Sequence, residues 1–223
     1  MKRLYIVTAV ALALTALPAA ARADNSASLR ITSSYFTAQG FDAVSENNNM
    51  MTAEFNYARG MWDLWRGQLW LEGSYIIGAK NSEIFDKQFK TGLVVQSFIV
   101  GARYTLPVWE WLVPQVRVGV GVVVGRLGLD PVNESFSKVS GWSAGLTGHV
   151  LGGVELLIPR SWISTKVTIG LTLEGGITFS SGLGFSLAPD EDDDLEQIPL
   201  LPSELGSIPL SGGQFKVGAV VRF

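Results

Sequence analysis

The sequence predicts an all-β protein, an eight-stranded antiparallel up-and-down transmembrane β-barrel. Three observations predict it. Bulky apolar residues recur with a period of two rather than 3.6, which is the mark of strands with one apolar face. The opposite faces carry glycines, small polar residues and scattered charges. Compact turns rich in tryptophan and proline alternate with longer, more polar connections.

The elements follow in chain order. The opening stretch "MKRLYIVTAVALALTALPAAARA" sets Lys2 and Arg3 before an apolar run from Leu4 to Leu17, then closes on Ala21, Arg22 and Ala23. That order is expected of a secretory signal peptide over residues 1–23, cleaved after Ala23. The run is short against the ~20 residues that span a bilayer. The barrel domain then occupies 24–223, with 14 basic against 20 acidic residues after loss of Lys2, Arg3 and Arg22. An acidic balance argues against nucleic acid as a partner. The chain has no cysteine, so an exported protein here has neither disulfides nor thiolate chemistry.

Strands are expected near 27–37, 51–60, 67–79, 91–105, 115–127, 140–156, 165–180 and 213–223. In "QVRVGVGVVVG" Val116, Val118, Val120, Val122 and Val124 share one face, and Gln115, Arg117, Gly119, Gly121 and Gly125 the other. In "GWSAGLTGHVLGGVEL" Trp142, Leu146, Val150 and Val154 oppose Ser143, Thr147, His149 and Glu155. In "KVTIGLTLEGGITF" Ile169, Leu171, Leu173 and Ile177 oppose Lys166, Thr168, Thr172 and Glu174. A face rich in glycine and small polar residues suits the crowded interior of a narrow barrel, with the bulky face turned to lipid. No segment after the leader has 18 uninterrupted apolar residues, so helical spans are not expected.

Strands two and three, four and five, and six and seven are joined by "GMWDLWRG", "LPVWEWLVP" and "LIPRSWIS". Trp65, Trp111 and Trp162 recur there at spacings of 46 and 51 residues, as an interfacial aromatic girdle requires. A closed barrel is the β architecture that leaves no unpaired edge in hydrocarbon. Long loops are expected near 38–50, 80–90, 128–139 and 181–212, facing outside, with both termini in the periplasm.

The last strand, "GGQFKVGAVVRF", resembles the C-terminal recognition signal of bacterial outer-membrane β-barrels. Lys216, Gly218, Val221 and Phe223 fit its polar, glycine, apolar and terminal aromatic positions in order. The resemblance implies insertion by the outer-membrane assembly machinery, with Phe223 as periplasmic anchor. The whole mature chain is similar in architecture to small eight-stranded outer-membrane barrels, such as the OmpX family and the transmembrane domain of OmpA. No peptidoglycan-binding domain is expected after the last strand, a departure from full-length OmpA.

Alternation places Arg30, Glu54, Glu72, Arg103, Arg117, Glu155, Lys166, Glu174, Lys216 and Arg222 on the inner face. An eight-stranded interior is just wide enough for side chains, so these charges are expected to pair into a polar plug. A gated ion path through rearranged pairs is the alternative. His149 is the sole histidine, with Ser143 and Glu155 on its strand face. A His-activated serine would give lipid-modifying chemistry. Six residues is about 20 Å along a strand, too far for hydrogen bonding, so a packed lumenal histidine is expected and no catalytic residue is assigned. Asp190, Glu191, Asp192, Asp193, Asp194 and Glu196 form an acidic run without the ligand spacing of an EF-hand. It reads as a solvated charge run, with loose calcium or magnesium binding as the alternative, and no metal or cofactor is expected. The repeated "IPL" at 198–200 and 208–210 could cap the barrel mouth, lie on the membrane or dock a partner.

The functional expectation is an integral bacterial outer-membrane barrel with a structural or surface-interaction role carried by its loops, in contact with outer-membrane lipid and lipopolysaccharide. The alternatives are an outer-leaflet lipid-modifying hydrolase or acyltransferase, and a small-solute channel.

Overall fold

The computed structural model describes residues 25–37, 41, 48–84, 89–131, 138–159, 162, 167–189 and 203–223. Among the described residues ten strands form: β1 (Asn25–Phe36), β2 (Asn49–Leu64), β3 (Gly67–Ile84), β4 (Phe89–Thr105), β5 (Leu112–Pro131), β6 (Val139–Leu157), β7 (Thr168–Ser180), β8 (Leu183–Pro189), β9 (Ser203–Ile208) and β10 (Gly212–Arg222). Each wall strand pairs antiparallel with its chain neighbour from β1 to β7; β10 then joins β7 to β1, and the eight-stranded barrel is closed.

Closure explains how so apolar a chain keeps its backbone satisfied. Every wall strand has a ladder on both sides, so no row of N–H and C=O groups faces outward. At the terminal end the seam continues past the strands, with Asn25 and Phe223 exchanging main-chain hydrogen bonds of 2.7 and 2.9 Å. The turn between β2 and β3 holds Trp65 at φ 55°, a left-handed conformation that is uncommon for a bulky side chain.

The period-two pattern sorts the side chains. Leu29, Ile31, Phe55, Val116, Val118, Val120, Leu146, Leu171, Ile177 and Phe215 are exposed on the outer wall, while Arg30, Glu54, Arg117, Glu155 and Lys216 are buried in the lumen. A water-soluble protein rarely exposes so large a continuous apolar surface, and hydrocarbon is the solvent that matches it. Trp62, Trp65, Trp109, Trp111 and Trp162 ring the terminal end, with Trp109 stacked on Trp111 at 5.6 Å; Tyr35 and Trp142 are exposed toward the other end.

Strands β2 to β6 outrun the expected boundaries, while β7 begins at Thr168 rather than at 165. The connections expected at 80–90 and 128–139 shrink to 85–88 and 132–138 because the ladders run on to Ile84↔Phe89 and Leu129↔Val139. The largest correction falls on the loop expected over 181–212. It contains β8 and β9, which pair with each other, and β8 also extends from the wall at Val139↔Pro189 and Ser140↔Ala188.

Candidate functional site

The lumen is stratified along its axis. At the terminal end Val113, Leu157 and Val220 pack together. Above them lies a layer of ion pairs. Further up, Phe36, Met50, Leu93, Val95, Val123 and Leu127 from the wall strands and Phe41 from the connection between β1 and β2 meet Leu183, Phe185, Leu187, Ile208 and Leu210 from the hairpin region in one apolar cluster.

The ion-pair layer is built by strand register. Arg30 and Glu54 face each other across β1 and β2, and Lys216 faces Glu174 across β10 and β7. Arg117 on β5 is the hub. Its Nε donates to Glu72 at 2.7 Å, its Nη1 to Glu174 at 2.7 Å, and its Nη2 to Glu54 at 3.0 Å. One planar guanidinium thus joins carboxylates from β2, β3 and β7, using the fixed fork that distinguishes arginine from lysine. Glu54 also accepts from Arg30 at 2.9 Å, from Ser74 at 3.2 Å and from Lys216. Glu174 accepts from Gln115 at 2.8 Å and lies 3.3 Å from Arg30. Glu155 accepts from Arg103 at 2.8 Å and from Arg222, and both cations lie over the Trp70 ring, at 4.9 and 5.1 Å. Trp70 itself donates Nε1–H to Thr105 at 3.0 Å.

Nine of the ten charges expected inside are therefore found in this layer, eight of them buried and Arg222 partly exposed at the terminal end. Lys166 lies outside the described residues, as does the acidic run at 190–196. Of the terminal-motif residues, Lys216 is in the layer, Gly218 faces β1, Val221 is half-buried and Phe223 is exposed. Among the described residues no cluster of three or more His, Asp or Glu side chains is arranged to hold a metal.

His149 is buried, but neither Ser143 nor Glu155 is brought to it. Glu155 is engaged by Arg103 and Arg222, and His149 Nε2 has no protein partner. The His-activated serine constellation is not assembled.

Two features lay beyond the sequence expectations. The first is Trp70, a lumenal aromatic on the same face as Glu72 that the girdle argument did not consider. The second is the apolar plug. The inner face was expected to be rich in glycine, small polar residues and charges, yet toward the mouth it carries Leu93, Val95, Val123 and Leu127, all buried. The seat for the hairpin is glycine. A Cβ at Gly125 would stand 2.7 Å from Leu183 Cδ1 and 3.1 Å from Phe185 Cζ, and one at Gly141 would meet the Ser186 carbonyl oxygen at 2.5 Å. Of the repeated IPL segments, Ile208 and Leu210 are buried in the plug and the copy at 198–200 lies outside the described residues.

No protein-family model matches the chain, and no curated protein matches it. Among solved structures, Ail, the attachment invasion locus protein of Yersinia pestis, crystallised in complex with the heparin analogue sucrose octasulfate, is similar at 12% identity, covering 91% of this chain and 100% of that one with a TM-score of 0.49. Neisserial surface protein A is similar at 10% identity, covering 90% and 94% of the two chains with a TM-score of 0.44. Similarity at this level says nothing about ligand or role.

Proposed function

We propose that this chain is an integral bacterial outer-membrane barrel that serves a structural or surface-interaction role through its mouth-side loops. The observation that carries this reading is the inverted polarity of the wall: apolar side chains point outward along every wall strand, while the middle of the interior is filled by charges paired with one another. A lumen so filled offers no continuous water path, which favours an anchoring scaffold over a solute channel. The unassembled His149 constellation gives a lipid-modifying activity no support.

In this reading residues 1–23 are removed on export, and the short tryptophan turns and both termini face the periplasm. Lys216, Gly218, Val221 and Phe223 form the signal for the assembly machinery, and the aromatic ends of the wall contact lipid headgroups, lipopolysaccharide among them. Electrophoresis of outer-membrane fractions, unheated and boiled, tests the proposal on the wild type and a Phe223 deletion. A membrane-bound wild type whose mobility changes on boiling, with a poorly assembled deletion, is the expected outcome. A soluble protein with no mobility change overturns it.

A further inference from the structure

Between the ion-pair layer and the apolar plug lies a cavity of about 50 Å3. Its wall is mixed. Phe36, Met50, Val95, Val123 and Leu210 form its apolar part, toward the plug. Around the rest, Thr32 from β1, Thr52 from β2, Ser97 from β4, His149 from β6, Thr178 from β7 and Gln214 from β10 contribute polar side chains. Six of the eight wall strands thus place a hydroxyl, amide or imidazole on one small space. Among the described lining residues none is Asp, Glu, Lys or Arg.

Two of these side chains are unsatisfied. His149 Nε2 and Thr32 Oγ1 are buried without a protein hydrogen-bond partner. A third is half used: the Thr178 hydroxyl donates to the Gly148 carbonyl at 3.1 Å, which leaves its acceptor capacity open. A buried polar group left unpaired costs about 1–3 kcal/mol, and native interiors answer such groups with protein partners or ordered water.

We infer that this cavity is an internal hydration site, holding a hydrogen-bonded cluster of about three or four waters that ties His149 on one wall to Thr32 on the opposite wall. The number follows from the volume, since one water needs about 10–15 Å3 of such space. The same volume excludes an organic solute, and a neutral wall of hydroxyls gives an ion no charged ligand. The cluster gives the sole histidine a role independent of catalysis: it is the imidazole end of a solvent bridge across the lumen. Gly119 belongs to the same arrangement, because a Cβ there would stand 2.7 Å from Ile99 Cγ2 and 3.1 Å from His149 Nε2 and would crowd the ring.

The test is a crystal structure of the refolded full-length mature barrel in detergent, at a resolution that shows ordered solvent. Three or four solvent peaks in the cavity are expected, with one within about 3.2 Å of His149 Nε2 and one equally near Thr32 Oγ1. Thr32→Val should lose the second peak and keep the first. A wild-type cavity without solvent density, with surface waters visible elsewhere, overturns the inference. Magnetic resonance gives a reading that needs no variant, because a single histidine makes the imidazole signal unambiguous. Magnetisation transfer from long-lived water to the His149 ring is expected, and its absence in the folded barrel overturns the inference as well.

Discussion

Arg117→Met is the substitution that most directly tests how the lumen is held together. Methionine fills much of the arginine volume but leaves three buried carboxylates short of a cation, and they are not equally affected. Glu54 keeps Arg30 and Lys216, and Glu174 keeps Gln115 and the neighbouring Arg30. Among the described residues Glu72 keeps only Arg103, at 4.0 Å. Removing one partner of a buried ion pair costs about 3–5 kcal/mol, so the variant should lose that much. With a urea dependence of about 2 kcal/mol/M, the midpoint should fall by about 1.5–2.5 M. The assay is urea unfolding of the barrel refolded in lipid vesicles, followed by tryptophan fluorescence and by mobility of unboiled samples. A second substitution decides whether the stranded group is identified correctly. Added to Arg117→Met, Glu72→Gln should recover about 1–3 kcal/mol. Glu54→Gln should recover nothing, because it removes the counter-charge of Lys216 and leaves Arg30 with Glu174 alone. An Arg117→Met midpoint indistinguishable from wild type, or equal rescue by both glutamines, refutes the reasoning.

Three further outcomes follow from the same geometry. Val120→Arg puts a charge midway along β5 on the outer wall and should cost about 2–4 kcal/mol in a bilayer; a change below about 0.5 kcal/mol by vesicle-based urea titration would mean that this face does not meet lipid. Gly125→Val forces a side chain against Leu183 and Phe185, so the β8–β9 hairpin should leave its seat at a cost of about 1–3 kcal/mol. Limited proteolysis should then cut between residues 181 and 212 in the variant faster than in the wild type, with the barrel intact. Deleting 183–208 removes Leu183, Phe185, Leu187 and Ile208 from the plug but leaves Arg117 and its three carboxylates in place, so planar-bilayer recordings should show no ion conductance; stable channels would mean that the ion-pair layer does not seal the lumen.

The wall was legible in the sequence because strands buried on one face and lipid-exposed on the other write a period-two pattern that few other structures produce. Val116 to Val122 against Gln115 and Arg117 was enough to orient β5, and the same parity places Glu155 and Glu174 inside. The partners within the layer were not legible. That Arg117 meets Glu54, Glu72 and Glu174 depends on how each strand is staggered against the next around the barrel, which local alternation does not encode. The plug was missed for a different reason. "LGFSLAP" carries the same alternation, with Leu183, Phe185 and Leu187 on one face, but it follows β7 with only Ser181 and Gly182 between and precedes an acidic run, so it read as part of a polar loop. Gly182, at φ 83°, sits in the two-residue break between β7 and β8, after which the chain keeps the direction of β7 and pairs with β6 again at Ser140↔Ala188.

The seam between β1 and β10 has a kinetic meaning. Its eleven register pairs join Ser26 through Phe36 to Arg222 through Gly212, residues that are nearly the whole length of the barrel apart along the chain. No earlier hairpin substitutes for this pairing, so a partly formed wall is an open sheet with two unsatisfied margins. Contacts of such sequence separation form slowly, since the chain-closure entropy is lost before the ladder returns any of it. Until then both margins can accept a foreign strand. A helper that occupies one margin, and yields it pair by pair to its native neighbour, would convert the slowest event in folding into a guided exchange.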